Sequence, residues 1–134
     1  MIKMSEAASI ALHAMVILAA DPERYHCARE MSRMLGVSEA HLSKVCQRLS
    51  RMGLVESVRG PRGGFKLGLP GDSITLLSVL EAVDGPLKPK DCLMHTKTCR
   101  GDECIMGGFL RSFNRDVLGY LEVTKIDELR GLYQ

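Results

Sequence analysis

The segment from Gly53 to Leu67 constrains this chain more than any other. Leu54 to Arg59 is a short strand-like run rich in Val. Gly60-Pro61-Arg62-Gly63-Gly64 then turns the chain, and Phe65-Lys66-Leu67 returns. A glycine-rich loop can also cradle phosphate, but that use needs a Lys-Ser/Thr pair after the glycines and a helix opening there. Neither is present, so the segment reads as a β-hairpin with Arg59, Arg62 and Lys66 at or near its tip.

What precedes the hairpin is helical. Ser5 can cap a helix to about Ala20, stopped by Asp21-Pro22, and a second helix covers Cys27 to Leu35 before Gly36. Ser38 can cap a third through Met52, with Gly53 at the position after its end that favours a left-handed backbone. On this third helix Leu42, Val45, Cys46, Leu49 and Met52 make one apolar stripe at helical spacing. Glu39, Ala40, Ser43, Lys44 and Gln47 lie opposite, flanked by His41, Arg48 and Arg51. Two helices joined through a glycine turn, the second polar on its outer side, have helix-turn-helix geometry. A hairpin directly after them is the order of a winged helix-turn-helix.

Thr75 can cap a fourth helix with Leu76, Val79, Leu80 and Val83 inward, closed by Gly85-Pro86. A last long helix is expected from Ile105 to Val123. Its Met106, Leu110, Phe113, Val117 and Tyr120 follow four-three spacing, a seam that packs one helix along another. Thr124-Lys125-Ile126-Asp127 has capping-box spacing for a further helical turn. The expected fold is thus mainly α with a small β-hairpin. It divides into a winged helix-turn-helix domain at 1–86, a cysteine-bearing loop at 87–104, and a dimerisation helix with tail at 105–134. Packing of the last helix against the chain's own first helix is the alternative to dimerisation.

Charge agrees with a nucleic-acid reader. Residues 1–67 hold ten Lys/Arg against six Asp/Glu, residues 68–134 eight against ten. From His41 to Lys66 there are six Lys/Arg and one acid, Glu56, the imbalance that phosphate neutralisation requires. With Ser38 to Gln47 in the major groove, Ser38, Glu39, Ala40, Ser43, Lys44 and Gln47 would approach bases, and Arg48 and Arg51 phosphate. Arg59 and Arg62 would reach from the hairpin toward the minor groove. Duplex DNA with a palindromic site, read by a homodimer, is the expected partner.

Five cysteines, an odd number, argue against a closed disulfide framework. Cys27 and Cys46 lie at apolar helix faces and are expected to be buried structural thiols. Cys92, Cys99 and Cys104 cluster within thirteen residues, where soft thiolates suit an iron–sulfur cluster or zinc. Three thiols leave one ligand position open, for which His13, Ser9, Glu6 or His95 are candidates. Lys97 and Arg100 would favour the thiolate form. Without a cluster, the same thiols can act as an oxidation switch. The apolar run Ala7–Ala20 is short for a membrane span and interrupted by His13, and it lacks a net basic leader and cleavage site. The expectation is a cytoplasmic protein with no membrane role. No acid/base pair or oriented nucleophile points to an enzyme.

The chain resembles, nearly end to end, the winged-helix regulators of the IscR/NsrR/CymR type. The match is strongest over Gly53-Leu54-Val55-Glu56-Ser57-Val58-Arg59-Gly60-Pro61-Arg62-Gly63-Gly64-Phe65, and continues through Ile74-Thr75, Val79-Leu80-Glu81 and Gly85-Pro86-Leu87. The resemblance implies a homodimeric bacterial repressor or activator that senses iron–sulfur status, nitric oxide or redox state. It further implies an iron–sulfur cluster, [2Fe-2S] or [4Fe-4S], on Cys92, Cys99 and Cys104, a cluster that purified protein can lack. Cluster-free members respond instead through thiol oxidation or a partner protein. Gly107 stands where some members carry a histidine ligand, and Ser9 where others carry an aspartate. His13 matches a histidine used by redox-sensing members, and Ser43 replaces a glutamate that selects sites by cluster occupancy.

Overall fold

The structure, a computed structural model, describes residues 3–94, 96, 98–99 and 103–133. Helix α1 (Glu6–Ala20) begins where the Ser5 hydroxyl accepts the Ala8 N–H at 3.0 Å. Apart from Glu6 and an exposed Ser9–His13 edge it is apolar, and a helix of that kind must be largely surrounded. Ala8, Ala11, Ala14, Met15 and Leu18 are fully buried, and α3, α4 and the C-terminal segment pack around them.

Helices α2 (Ala28–Leu35) and α3 (Glu39–Arg51) meet through Gly36. The Ser38 hydroxyl caps α3 by accepting the His41 N–H at 3.1 Å. Leu42, Val45, Cys46 and Leu49 are buried on the inner face. Burial pushes the Cys46 thiol up to about 12, which keeps it protonated and inert. Met52 leaves the expected apolar stripe: α3 stops at Arg51, and Met52 is exposed at the cap.

Strand β1 (Val55–Val58) pairs antiparallel with β2 (Gly64–Leu67), Val55 opposite Leu67 and Val58 opposite Gly64. A third element, which the residue pattern did not suggest, joins this hairpin. His26 donates its N–H to the Phe65 carbonyl and accepts the Phe65 N–H, both at 2.8 Å, which welds β2 to the entrance of α2. The His26 ring is buried, and its Nδ1–H donates to the Arg24 carbonyl at 3.1 Å. Burial first, and the Arg24 charge second, lower its pKa below the usual 6.5. The folded state therefore binds fewer protons than the unfolded chain at this site. The stabilisation is complete above the unfolded pKa and is lost as pH falls through it toward the lower folded value. Calorimetry is expected to show a lower melting temperature at pH 5.5 than at pH 7.5. His26→Asn, which retains a donor near the Nδ1 position, should flatten that slope; an unchanged slope would assign it to other groups.

Helix α4 (Leu76–Asp84) is capped by Thr75, whose Oγ1 accepts the Ser78 N–H at 3.0 Å. Its Leu76, Val79, Leu80 and Val83 are buried, as their spacing predicts. Helix α5 (Phe109–Val123) starts later than expected. Gly107 and Gly108 both take left-handed backbone (φ 56 and 80), so Ile105 to Gly108 form a turn instead of helix. After α5 the chain returns to the body. Leu76 N–H donates to the Thr124 carbonyl and Ile126 N–H to the Ile74 carbonyl. A 3-10 helix, Ile126–Tyr133, then lies along α1 with Ile126 fully buried. The tail thus packs into the same core as the N-terminal helices. Among the described residues, no helix is long and apolar enough to cross a membrane.

Candidate nucleic-acid interface and cysteine loop

Glu39, Ala40, Lys44, Gln47 and Arg51 are exposed on the outer side of α3, and Ser43 is half-buried. Ser38 stands at its N-terminus with its oxygen committed to the cap. A cleft of about 420 Å³ opens between α3 and the hairpin. Gln47 forms one wall, Ser57 and Arg59 another, and Cys27 with Ala28 lie between them. Residues twelve apart on two elements, Gln47 and Arg59, are thereby brought to one concave surface. Lys44 lies one turn before Gln47 on the same exposed helix face. Arg62 is exposed in the hairpin turn. Lys66 is directed elsewhere: its Nζ lies 5.0 Å from the Tyr25 ring centroid and 3.9 Å from Glu56 Oε2.

Arg48 is exposed beside Arg51, and its guanidinium Nη1 donates to the Val83 carbonyl at 2.9 Å, at the end of α4. One expectation is corrected by the structure. Cys27 is not a buried structural thiol. It is exposed, it is the N-cap of α2 with Sγ accepting the Glu30 N–H at 3.4 Å, and it lines the Gln47–Arg59 cleft. Cysteine is absent from the residues that usually cap helices, so its spacing suggested a core position.

The cysteine loop leaves α4 through Gly85, and Leu87 N–H reaches back to Glu81 Oε2 at 3.2 Å. Cys92 is half-buried; Cys99 and Cys104 are exposed, and Cys104 Sγ accepts the Met106 N–H at 3.4 Å. Three soft thiols suit the ligand chemistry of an iron–sulfur cluster. Among the described residues, however, no three His, Cys, Asp or Glu side chains are gathered as a metal site in the single chain. His95, Lys97 and Arg100 lie outside the described residues. His13 is exposed, its Nδ1–H donating to the Ser9 carbonyl at 2.6 Å, and it lines a shallow cavity with Leu35 and Val37 beside the α2–α3 turn.

Asn114 was missed by the residue pattern. It is buried on α5, and its Nδ2 donates to the Lys90 carbonyl at 2.9 Å and to Asp91 Oδ1 at 3.4 Å, latching the helix to the segment just before Cys92. A polar amide four residues after a buried leucine, Leu110, was the available signal. The same geometry redistributes the expected seam. Leu110 is buried, and the half-buried Val117 packs against this chain's own core. Met106 is half-buried in the turn before α5. The outward stripe is instead Phe109, Phe113, Tyr120 and Val123, with Phe113 39%, Tyr120 56% and Val123 70% exposed. The Phe109 and Phe113 rings stack with centroids 6.0 Å apart. The expected seam ran along the border between these two faces, where a 3.6-residue period places alternate members on opposite sides.

A helix-turn-helix completed by a wing, followed by a projecting helix, defines the winged-helix class of transcriptional regulators. The chain belongs to the Rrf2 family, described as iron-dependent transcriptional regulators, which it matches over residues 4–131. The family consists of regulators, not enzymes. The HTH-type transcriptional regulator IscR of Photorhabdus laumondii is 32% identical over 100 residues, 75% of this chain and 61% of the relative. IscR of Klebsiella pneumoniae is 33% identical over the same shares. The match thus spans less than two thirds of the length of these curated relatives. Among solved structures, CymR, the global cysteine regulator of B. subtilis, superposes over the whole of both chains with a TM-score of 0.81 and 25% identity. IscR of T. potens superposes with a TM-score of 0.71 and 20% identity over 97% of this chain and 88% of its own.

Proposed function

We propose that this chain is a homodimeric, sequence-specific DNA-binding regulator that reads a palindromic operator and senses redox, nitric oxide or iron–sulfur status through Cys92, Cys99 and Cys104. The observation that carries the DNA reading is the cleft that places Gln47 of α3 and Arg59 of the hairpin on one surface. Ser38, Glu39, Ala40, Ser43, Lys44 and Gln47 meet the major groove, Arg51 a phosphate, and Arg59 and Arg62 the minor groove. The exposed stripe of α5 pairs with that of a second copy, giving two reading heads related by a two-fold axis. In this scheme residues 1–86 read, 87–104 sense, and α5 within 105–134 pairs.

The donor set fits an iron–sulfur cluster held by Cys92, Cys99 and Cys104, with His13 of a second copy as candidate fourth ligand. When bound, the cluster supplies a labile ligand position open to oxidant or nitric oxide. The family's iron dependence supports this form; the likeness to CymR, a global cysteine regulator, supports the alternative, a cluster-free regulator controlled by thiol oxidation or a partner protein. Iron and acid-labile sulfide in anaerobically purified protein, with a visible absorption band, identify the first. A colourless, metal-free dimer with full DNA affinity identifies the second.

Cys27 provides the test of the DNA face. Alkylation of its thiol, followed by peptide mass spectrometry, is expected to stop when duplex DNA saturates the protein. Equal reaction of Cys27 in free and bound protein would place the duplex on another surface.

A further inference from the structure

Resting on the sensing role proposed above, we infer that Arg48 is the positioning residue that carries the state of the cysteine loop into the recognition helix α3. Its Nη1 donates to the Val83 carbonyl at 2.9 Å, across 35 residues of sequence. Val83 lies in the last turn of α4, where the final carbonyls have no partners within the helix and the macrodipole favours a cation. A guanidinium at that position therefore holds α3 to the end of α4 with both a hydrogen bond and a charge.

That end of α4 is also the root of the loop. Gly85 N–H donates to the Glu81 carbonyl at 3.0 Å, and Leu87 N–H to Glu81 Oε2 at 3.2 Å. On the other side, Ser5 Oγ donates to Asp84 Oδ1 at 2.6 Å. Between the last turn and the loop lies a cavity of about 550 Å³ lined by Asp84, Gly85, Leu87 and Cys92. The turn is held from both sides. The α3 side is tied by a charged bond and the buried Val83 side chain, and the loop side by the Leu87–Glu81 bond and, through Asn114, to α5, with the open cavity beside it. A displacement of the Leu87–Cys92 segment pulls on the turn through Glu81, and Arg48 passes it to α3 three residues from Arg51.

Linkage gives the test, because coupling between two sites is reciprocal. If the loop biases DNA binding, bound DNA biases the loop. The full-length protein would be incubated with a duplex selected by the wild type from a random library, and the alkylation rate of Cys92 measured with and without it. The wild type is expected to show a change of about fivefold or more, the lower end of ordinary coupling. Arg48→Met is expected to bind the duplex with an unchanged salt dependence and to show equal Cys92 rates in the free and bound states. Retention of the duplex effect in Arg48→Met overturns the inference. So does a fall in its salt slope by about one, the mark of a lost phosphate contact. If Arg48→Met does not fold, Glu81→Ala, which releases the loop side of the same turn, must abolish the effect instead; its persistence overturns the inference equally. A wild type that shields Cys27 yet shows no change at Cys92 overturns both this coupling and the sensing role, and leaves the DNA reading standing.

Discussion

Replacing Gly64 with alanine is expected to destabilise the protein by roughly 2–4 kcal/mol, from overpacking and the loss of two backbone hydrogen bonds. Gly64 opens β2 with φ 151, beside the backbone of His26. A Cβ there would penetrate the His26 carbonyl and lie 3.0 Å from the Cys27 nitrogen. Backbone on both sides leaves no flexible side chain to yield. The hairpin would separate from the entrance of α2, breaking the paired His26–Phe65 bonds. A fall in melting temperature of about 10 °C follows for a domain of this size, and, if Arg59 contacts DNA as proposed, DNA affinity falls with it because Arg59 loses its fixed position. Gly60→Ala supplies the control. Gly60 has φ 115 but nothing within 4 Å of its added carbon, so only backbone strain of about 1–2 kcal/mol applies. Equal effects of the two substitutions in thermal denaturation would refute the close-approach argument.

If the chain pairs through α5 as proposed, the double substitution Phe113→Glu with Tyr120→Glu is expected to leave it monomeric and to weaken binding to the proposed operator by about 100-fold or more, the usual loss when two linked contacts become one. Both side chains are exposed in the single chain and belong to the outward stripe with Phe109 and Val123. A symmetric pairing would bring four new carboxylates to one apolar seam, where unpaired charge is poorly tolerated. Because neither residue contributes to the chain's own core, far-UV circular dichroism should be unchanged. Sedimentation at micromolar concentration gives the decisive reading. A variant that remains dimeric would move the pairing surface off α5.

Much of the architecture was legible because it is set by local chemistry. Ser5, Ser38 and Thr75 each supply the oxygen that accepts the N–H of a helix's third residue, and each helix starts at the residue after its cap. The Gly60–Gly64 turn and its Val-rich flank specify a hairpin for equally local reasons. The inner stripe of α3 followed from helical period alone, except at Met52, where helix termination outranked period. What escaped the pattern depends on residues distant in sequence. The bonds of His26 to Phe65 and of Arg48 to Val83 join elements that no periodicity relates. Cys27 is exposed as the N-cap of α2, and only the folded chain shows it lining a cleft with Gln47 and the hairpin. Asn114 acquires its role from the loop segment at Lys90 and Asp91.

The last helix shows where the boundary falls. Its apolar positions were evident from spacing, but spacing does not say which of two adjacent stripes meets the chain's own body. Packing within the chain resolves this by burying Leu110 and Leu121, the latter in the common core with α4, and leaving Phe113 and Tyr120 outward. Caps, turns, the helical period and the basic tract from Lys44 to Lys66 were thus determined by the sequence itself, because each depends on neighbours within a few residues. Which arginine is tied to a distant carbonyl, which thiol is open and which apolar stripe of the last helix stays exposed were decided by tertiary packing, because exposure is a property of what lies opposite.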